Sequence, residues 1–362
     1  MKTQNTPSHS SGLLNLVLTA VPSSLLLFAC NNVGFNHIDD GSFTKAGDKV
    51  YAVDQQVEAQ GDNDVDILFV VDNSASMKDE QVGFGAKING FMSSIQNLNW
   101  RIALTTTDPR TTTKDASGVN QQWGDGQFRQ FGSSSTAPYV LKAGEVSLSN
   151  AQIALNDAIQ VGLLGSGNES GVAVSYRAIQ RSLVASPNKD FFRPNARLAI
   201  VLISDEDECS DGQCWLSTNT APVLASNPAN LILLTQSTFG MNKVMSFNSI
   251  VHLANDPICK AGKVGSTYEG LSKQTGGVTG SVCATDYTAT LSKLSSKVIE
   301  LTKSVQLNCF PADMDSDGKP DLSIVLANGT RVTSGYKLSG TLLTFDSPLP
   351  LGRHTFSYHC AM

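Results

Sequence analysis

The 362-residue chain has little positive charge and no basic stripe. Lys and Arg number 26 against 32 Asp and Glu, which gives a formal net charge of −6 at pH 7. Proteins that bind nucleic acid neutralise phosphates with clustered Lys and Arg, so the composition argues against a nucleic-acid partner. Only 16% of the residues are charged and 41% are apolar. The chain therefore has enough apolar residues to bury a core.

Arrangements of Cys and His that carry chemistry are also missing. No CxxC pair occurs, and the five histidines are scattered without metal-ligand spacing, which argues against a zinc site. The sequence has no His-linked nucleophile elbow and no glycine loop of the phosphate-cradling type. We therefore do not expect an enzyme of these common classes.

The N-terminus predicts export. Leu13–Ala29 is an apolar segment, interrupted by proline and too short for a comfortable membrane span, so residues 1–30 are expected to be a signal peptide. Its end, Leu27-Phe28-Ala29-Cys30, resembles the lipobox of bacterial lipoproteins, which implies cleavage before Cys30 and lipid on its thiol. An ordinary signal peptide cut elsewhere is the alternative. Because Asn31 and not Asp follows the cysteine, we expect the outer membrane of a bacterial envelope.

The remaining cysteines predict disulfide bonds. Seven cysteines are present, and setting Cys30 aside leaves an even number in an exported chain. Several pairings are open on the count alone. Proximity along the chain favours Cys209–Cys214, Cys259–Cys283 and Cys309–Cys360.

The pattern of apolar residues predicts an α/β domain followed by a small β module. Val65–Val71 and Arg197–Ser204 are typical of strands buried on both faces, and helical spacing recurs between and after them, so residues 62–303 are expected to form a doubly wound, mainly parallel sheet flanked by helices. Residues 31–61 are expected to be a flexible tether and 206–244 a loop-rich excursion. Short strand-like runs predict an antiparallel β module over 304–362, closed by a disulfide.

Both buried strands end in oxygen-bearing side chains. Asp72, Ser74 and Ser76 follow the first strand, and Asp205 follows the second. In open α/β sheets, ligands bind outside the carboxyl ends of the strands. Carboxylate and hydroxyl oxygens suit Mg²⁺, and also Mn²⁺ or Ca²⁺. The competing interpretation is helix capping, and Ser76 is expected to help cap the helix that starts at Lys78.

The run Asp72-Asn73-Ser74-Ala75-Ser76 resembles the metal-ion-dependent adhesion site (MIDAS) of von Willebrand factor A (vWA) domains and integrin I domains. Asp205 resembles the second aspartate of that site. The family's third element is a threonine in a loop before a helix; the matching stretch Gly165–Gly171 has none, and Glu169 or Ser170 is the expected substitute. The resemblance implies a vWA fold, a bound divalent cation, and an open position for the carboxylate of a partner protein.

We therefore expect a metal-dependent protein-binding or adhesion module of the bacterial cell envelope. One alternative is a haloacid-dehalogenase-like phosphohydrolase in which Asp72 attacks phosphorus. Ser74 stands where that chemistry needs a second Asp as general acid. A metal-free structural scaffold is the other alternative.

Two further acidic runs are ambiguous. Asp313, Asp315, Asp317 and Asp321 surround a glycine, as at the start of a calcium loop, but Ile324 stands where a helix-loop-helix hand needs glutamate. A calcium-stabilised turn and a solvated Asp-rich turn both remain open. Glu206–Glu208 predicts an acidic surface loop held by Cys209–Cys214, with a second cation as the alternative.

Overall fold

A six-stranded sheet positions the candidate site. The computed structural model describes residues 49–59, 63–110, 113–114, 120–121, 124–209, 223–259 and 262–361, and these belong to one unit. The order of strands in the sheet is β6-β3-β2-β7-β8-β9, and every pair is parallel except β3 with β6. The strands of this sheet are β2 (Asp64–Val71), β3 (Asn99–Thr106), β6 (Leu141–Lys142), β7 (Arg197–Ile203), β8 (Met245–Val251) and β9 (Thr279–Ser281).

Helices cover both faces of this sheet. Successive side chains of a strand point to opposite faces, and in β2 Phe69 packs with one apolar cluster while Leu68 packs with another. The Phe69 cluster includes apolar residues of α1, α2 and α7, and the Leu68 cluster those of α3, α5 and α6. The helices are α1 (Lys78–Ser94), α2 (Leu148–Ile159), α3 (Gly171–Ser182), α4 (Val223–Ser226), α5 (Pro228–Phe239), α6 (Ser266–Gln274) and α7 (Thr288–Thr302).

The main sheet and its flanking helices agree with the sequence analysis at the level of a mixed α/β fold. The prediction of a loop-rich stretch over 206–244 is partly wrong, because this stretch contains α5. Asn227 caps α5 by accepting a hydrogen bond from the Ala229 amide at 2.9 Å, and Pro228 occupies the first turn. Asn before Pro at a helix start is a recognised signal, which the sequence analysis passed over.

Antiparallel strands form the remaining sheets. Four strands have the order β1-β15-β11-β12, three have the order β10-β14-β13, and β4 pairs with β5. Apolar residues of the four- and three-stranded sheets share one core. These strands are β1 (Val50–Ala59), β4 (Thr113–Lys114), β5 (Asn120–Gln121), β10 (Ser304–Gln306), β11 (Leu322–Val325), β12 (Arg331–Val332), β13 (Tyr336–Ser339), β14 (Leu342–Phe345) and β15 (Gly352–Ala361).

The predicted tether over 31–61 is wrong for its last part. Val50–Ala59 is a ten-residue strand that pairs along its whole length with Gly352–Ala361. Alternate side chains of β1 face the core of the β module, and Gln55 occupies one of those positions. Residues 31–48, the signal peptide and Cys30 lie outside the described residues.

Two of the three predicted disulfides are present. Cys259 pairs with Cys283, and Cys309 pairs with Cys360 across 51 residues of sequence. The third prediction involves Cys214, which lies outside the described residues. Among the described residues, no helix has the length and apolarity needed to cross a membrane.

Candidate cation site

The candidate site lies where the order of strands in the main sheet reverses. From β2 the chain first adds β3 and β6 on one side, and then returns to add β7, β8 and β9 on the other. In open α/β sheets this reversal opens a crevice at the carboxyl ends of the two central strands. The Asp72 amide donates to the Ile203 carbonyl at 2.9 Å and so joins the ends of β2 and β7.

Asp72 is fully buried and held by hydrogen bonds at both carboxylate oxygens. Oδ1 accepts from the Ser74 amide at 2.7 Å, and Oδ2 accepts from the Ser204 hydroxyl at 2.6 Å. Burial raises the pKa of Asp72 to about 7, the charge of Asp205 acts in the same direction, and the hydrogen bonds from Ser204 and Ser74 oppose it. The orientation of this carboxyl group is therefore fixed by the strand ends.

The two serines of the motif lie together at the edge of the site. Their hydroxyl oxygens are 3.1 Å apart; Ser74 is buried and Ser76 is exposed. Ser74 precedes a short 3₁₀ helix, Ala75–Met77, without a side-chain capping bond, and α1 also lacks one, with Met77 at its N-cap. The expectation that Ser76 caps α1 is thus wrong, and both hydroxyls remain as candidate ligands.

Glu169 comes from the loop before α3 and faces the same region. It is fully buried, and one carboxyl oxygen accepts a hydrogen bond from the Thr107 hydroxyl. Its Oε1 is buried and has no hydrogen-bond partner. Burial, followed by the charge of Asp72, raises the pKa of Glu169 well above its usual value. Glu169 therefore lies within electrostatic reach of Asp72.

Ser170, the other expected substitute for threonine, is turned toward its own loop. Its hydroxyl donates to the Asn168 carbonyl at 3.4 Å, and its amide donates to the Thr107 carbonyl at 3.1 Å. Of the two candidates, Glu169 is the one that carries an oxygen without a donor.

Asp205 approaches the serines from the end of β7. It is partly buried, and burial raises its pKa, whereas a hydrogen bond with the side chain of Ser76 lowers it. Its Oδ1 is buried without a hydrogen-bond partner. The side chains of Asp205 and Ser76 therefore lie near each other, although 129 positions separate them in the sequence. Asp205 also lies within electrostatic reach of Asp72.

Sequence reasoning missed two hydroxyl groups at this site. Thr107 follows β3 and bonds Glu169, and Ser204 follows β7 and bonds Asp72. Both occupy the carboxyl end of a strand, which was the same signal that identified Asp72 and Asp205.

The acidic run after Asp205 caps two helices. Asp207 accepts hydrogen bonds from the Ser266 hydroxyl at 2.9 Å and the Thr267 amide at 3.0 Å, where α6 begins. Glu208 accepts from the Val172 amide at 2.7 Å in the first turn of α3. A carboxylate at a helix N-terminus satisfies free amides and interacts favourably with the helix dipole. The prediction of an acidic surface loop is wrong for Asp207, because this residue is buried.

The chemistry of the donor set fits a hard divalent cation. Buried oxygens of Glu169 and Asp205 lack donors, and an unpaired buried carboxylate is costly unless a cation or proton compensates it. Among the described residues, one set of three acidic side chains has ligand atoms within 4.8 Å of one another, and it lies in the β module. Asp72, Glu169 and Asp205 do not come that close together. A cation here would therefore need the serine hydroxyls and water as well, which is how Mg²⁺ is usually held.

The run in the β module forms a tight turn. Asp313, Asp315 and Asp317 are exposed, and their carboxylates lie within 4.8 Å of one another. Asp321 accepts from the Met314 amide at 2.6 Å, and Asp313 accepts from the Gly318 amide at 2.9 Å. These backbone hydrogen bonds close the turn, and calcium binding stays a prediction.

Comparison with known proteins assigns no family. No protein-family model matches the chain, and no curated protein matches it. The pilus adhesin SpaC from Lactobacillus rhamnosus GG, in its open conformation, matches 86% of this chain and 40% of its own length, at 14% identity and a TM-score of 0.34. Proximal thread matrix protein 1 from the mussel byssus matches 68% of this chain and 47% of its own length, at 14% identity and a TM-score of 0.35. The chain thus spans less than half the length of either protein.

Proposed function

We propose that this chain is a cation-dependent protein-binding module of vWA type, displayed on the bacterial cell envelope. Asp72, Ser74, Ser76, Glu169 and Asp205 would hold Mg²⁺, or Mn²⁺ or Ca²⁺ in its place. The cation would accept a carboxylate from a partner protein. The proposal describes a binding function and assigns no catalytic role.

One observation carries the proposal: at the strand reversal, Asp72 lies within electrostatic reach of both Glu169 and Asp205, and buried oxygens of these two partners have no donor. The hydroxyls of Ser74 and Ser76, 3.1 Å apart, follow Asp72 in the same motif. Such an arrangement is unfavourable by itself. A dication would supply the missing electrostatic partner for both oxygens. Capping does not account for the serines, because neither Ala75–Met77 nor α1 receives a side-chain cap.

The sheet supports the vWA-type assignment. Counted in chain order, its six strands follow the doubly wound order 3-2-1-4-5-6, with the site at the switch point between the first and fourth. The motif and the second aspartate follow these two strands, as the resemblance requires.

Access from outside supports binding of a partner. Ser76 is exposed while Asp72 and Glu169 are fully buried, so the cation would be reached from the serine side. Glu169 adds a third carboxylate, which weakens the attraction of the cation for an acidic group. A partner would therefore need a further favourable contact near the site.

Attachment to the envelope is proposed from the sequence alone. Cys30 would carry lipid and place the domain at the outer membrane, on its periplasmic or surface face.

Cation binding provides the direct test. Titration calorimetry with Mg²⁺, Mn²⁺ and Ca²⁺ should detect binding to the wild-type protein, and Asp72→Asn should abolish it. The exposed Asp157, on α2, offers a matched control, because Asp157→Asn removes a carboxylate that is not among the candidate ligands. Circular dichroism in EDTA should show that both variants fold.

Partner binding is tested by capture from an envelope extract. The wild-type protein should retain a partner in Mg²⁺ and release it in EDTA, and Asp72→Asn should retain none. Capture that persists in EDTA would reject the cation bridge and favour a metal-free scaffold. Hydrolysis of an aryl phosphate that Asp72→Asn abolishes would instead support a phosphohydrolase.

A further inference from the structure

Arg110 is held in a fixed orientation by a buried carboxylate. The side chain of Asp108 is fully buried, and it accepts from Arg110 Nε at 2.8 Å through Oδ1 and from Nη2 at 2.5 Å through Oδ2. The Arg110 side chain is nevertheless 48% exposed. A two-point contact of this kind fixes the plane of the guanidinium group. Arg110 therefore presents an oriented positive group to solvent.

The loop that carries Leu164 connects Arg110 to the cation site. Arg110 Nη2 donates to the Leu164 carbonyl at 3.4 Å, and the next residue, Gly165, donates from its amide to the Asn73 carbonyl at 2.8 Å. Asn73 directly follows Asp72 in the DxSxS motif. One loop thus lies between the guanidinium group and the motif.

A second connection runs through Glu169. Thr107, which precedes Asp108, donates its hydroxyl proton to Glu169. The hydrogen bond with Asp108 is the main cause of the raised pKa of Arg110, and the charge of Glu169 also contributes. Arg110 therefore lies within electrostatic reach of the candidate ligand that makes the site more anionic.

The surface beside Arg110 also has an apolar group. Leu164 is 46% exposed, although most large apolar residues of the described domain are buried. A positive group and an apolar group thus lie side by side at the loop that contacts the DxSxS motif through Gly165 and Asn73. This surface complements an acidic segment that also carries an apolar side chain.

We infer that Arg110 is a specificity-determining residue, which binds a second carboxylate of an acidic partner segment while the first carboxylate lies on the cation. Leu164 contacts an apolar side chain of the same segment. This inference rests on the proposed function. It supplies the further contact that a partner needs to offset the third carboxylate of the site.

Short peptides test this inference in the full chain. The probes are N-acetylated peptide amides that have two Asp residues separated by none to three Leu residues, each with a counterpart in which the second Asp is Asn. Affinity is measured by fluorescence anisotropy in Mg²⁺ and in EDTA. In Mg²⁺, the two-Asp peptide of at least one spacing should bind the wild-type protein about tenfold or more tightly than its Asn counterpart. Such a gain in affinity is what one charge-assisted hydrogen bond can supply.

Arg110→Met should reduce the ratio of the two affinities, that of the two-Asp peptide over that of its Asn counterpart, to about one. Because that change leaves the buried Asp108 carboxylate without its cationic partner, the double variant Asp108→Asn, Arg110→Met removes the buried charge as well and should give the same ratio. Arg353 is exposed and pairs with Glu58 on the β module, so Arg353→Met serves as the matched control and should keep the full ratio.

The outcomes separate the two proposals. If no peptide binds in a Mg²⁺-dependent manner, the proposed function fails and the inference fails with it. If peptides bind in Mg²⁺ but the second Asp brings no gain, or if the gain survives Arg110→Met, only the inference is overturned. A gain of equal size at every spacing would also overturn it, since a fixed guanidinium group selects a distance.

Discussion

Replacing Glu169 by Gln should raise the stability of the cation-free protein and reduce the stabilisation that Mg²⁺ supplies. Glu169 is fully buried, one of its oxygens has no donor, and burial together with the charge of Asp72 raises its pKa well above the usual 4.5. Without a cation, a raised pKa costs the folded protein stability at any pH at which the unfolded chain ionises the group. An unmatched buried polar group typically costs about 1–3 kcal/mol.

In EDTA at pH 7, Glu169→Gln should therefore raise the free energy of unfolding by about 1–3 kcal/mol. The sign follows from the raised pKa: the penalty grows as pH rises above the unfolded value of 4.5. The gain should therefore disappear near pH 4. In Mg²⁺ the loss of a charged ligand should weaken binding about tenfold or more and remove roughly 1.4 kcal/mol or more of the stabilisation that the cation supplies.

Denaturant titrations in EDTA and in Mg²⁺, at pH 4 and pH 7, measure both effects. Glu145→Gln is the control, since Glu145 has a side chain that is 67% exposed and pairs only at the surface with Lys142. It should change stability by less than about 0.5 kcal/mol in either buffer. A Glu169→Gln protein that is less stable in EDTA, or one with an undiminished Mg²⁺ effect, would refute the assignment of Glu169 to the site.

Three other changes give independent tests. Removing the 51-residue link by Cys309→Ala with Cys360→Ala should cost about 4 kcal/mol by denaturant titration, and the difference between variant and wild type should vanish when both proteins are fully reduced. Asp315→Asn should abolish any stabilisation by Ca²⁺ that differential scanning calorimetry detects, and equal effects on both proteins would leave the solvated turn. Burial lowers the pKa of Lys243 to about 8, so wild-type stability should rise relative to Lys243→Met between pH 8 and pH 10, where only the unfolded chain keeps this proton. Parallel pH profiles would contradict that shift.

Local pattern was enough to predict the strand ends of the site. Val65–Val71 and Arg197–Ser204 are continuous apolar runs, and such runs are typical of strands buried on both faces. Since parallel strands present their carboxyl ends at one edge of a sheet, Asp72 and Asp205 were predicted to approach each other. The charge of Asp205 contributes to the raised pKa of Asp72, so the two side chains lie within electrostatic reach of each other.

Other features depend on partners far along the chain. β1 pairs with β15 about 300 residues later, and Gln55 interrupts its apolar alternation. The side chain of Gln55 is buried because Tyr358 donates a hydrogen bond to it at 2.5 Å and the Gln306 carbonyl accepts one from it at 2.7 Å. A window of local sequence contains neither partner, so the segment resembled a polar tether. The Thr107–Glu169 contact is hidden in the same way, across 62 residues.

The loops of the candidate site are fastened to each other as well as to the sheet. The Cys209 amide donates to the Glu169 carbonyl at 2.6 Å, and Glu208 caps α3 two residues after Ser170. On the other side, Gln81 of α1 donates to the Asp72 carbonyl at 2.8 Å. A cation would therefore meet ligands whose backbone is already ordered, and little conformational entropy would be lost on binding. The electrostatic cost of bringing the carboxylates together is then borne by folding, which is why cation-free stability is the sensitive measure of this site.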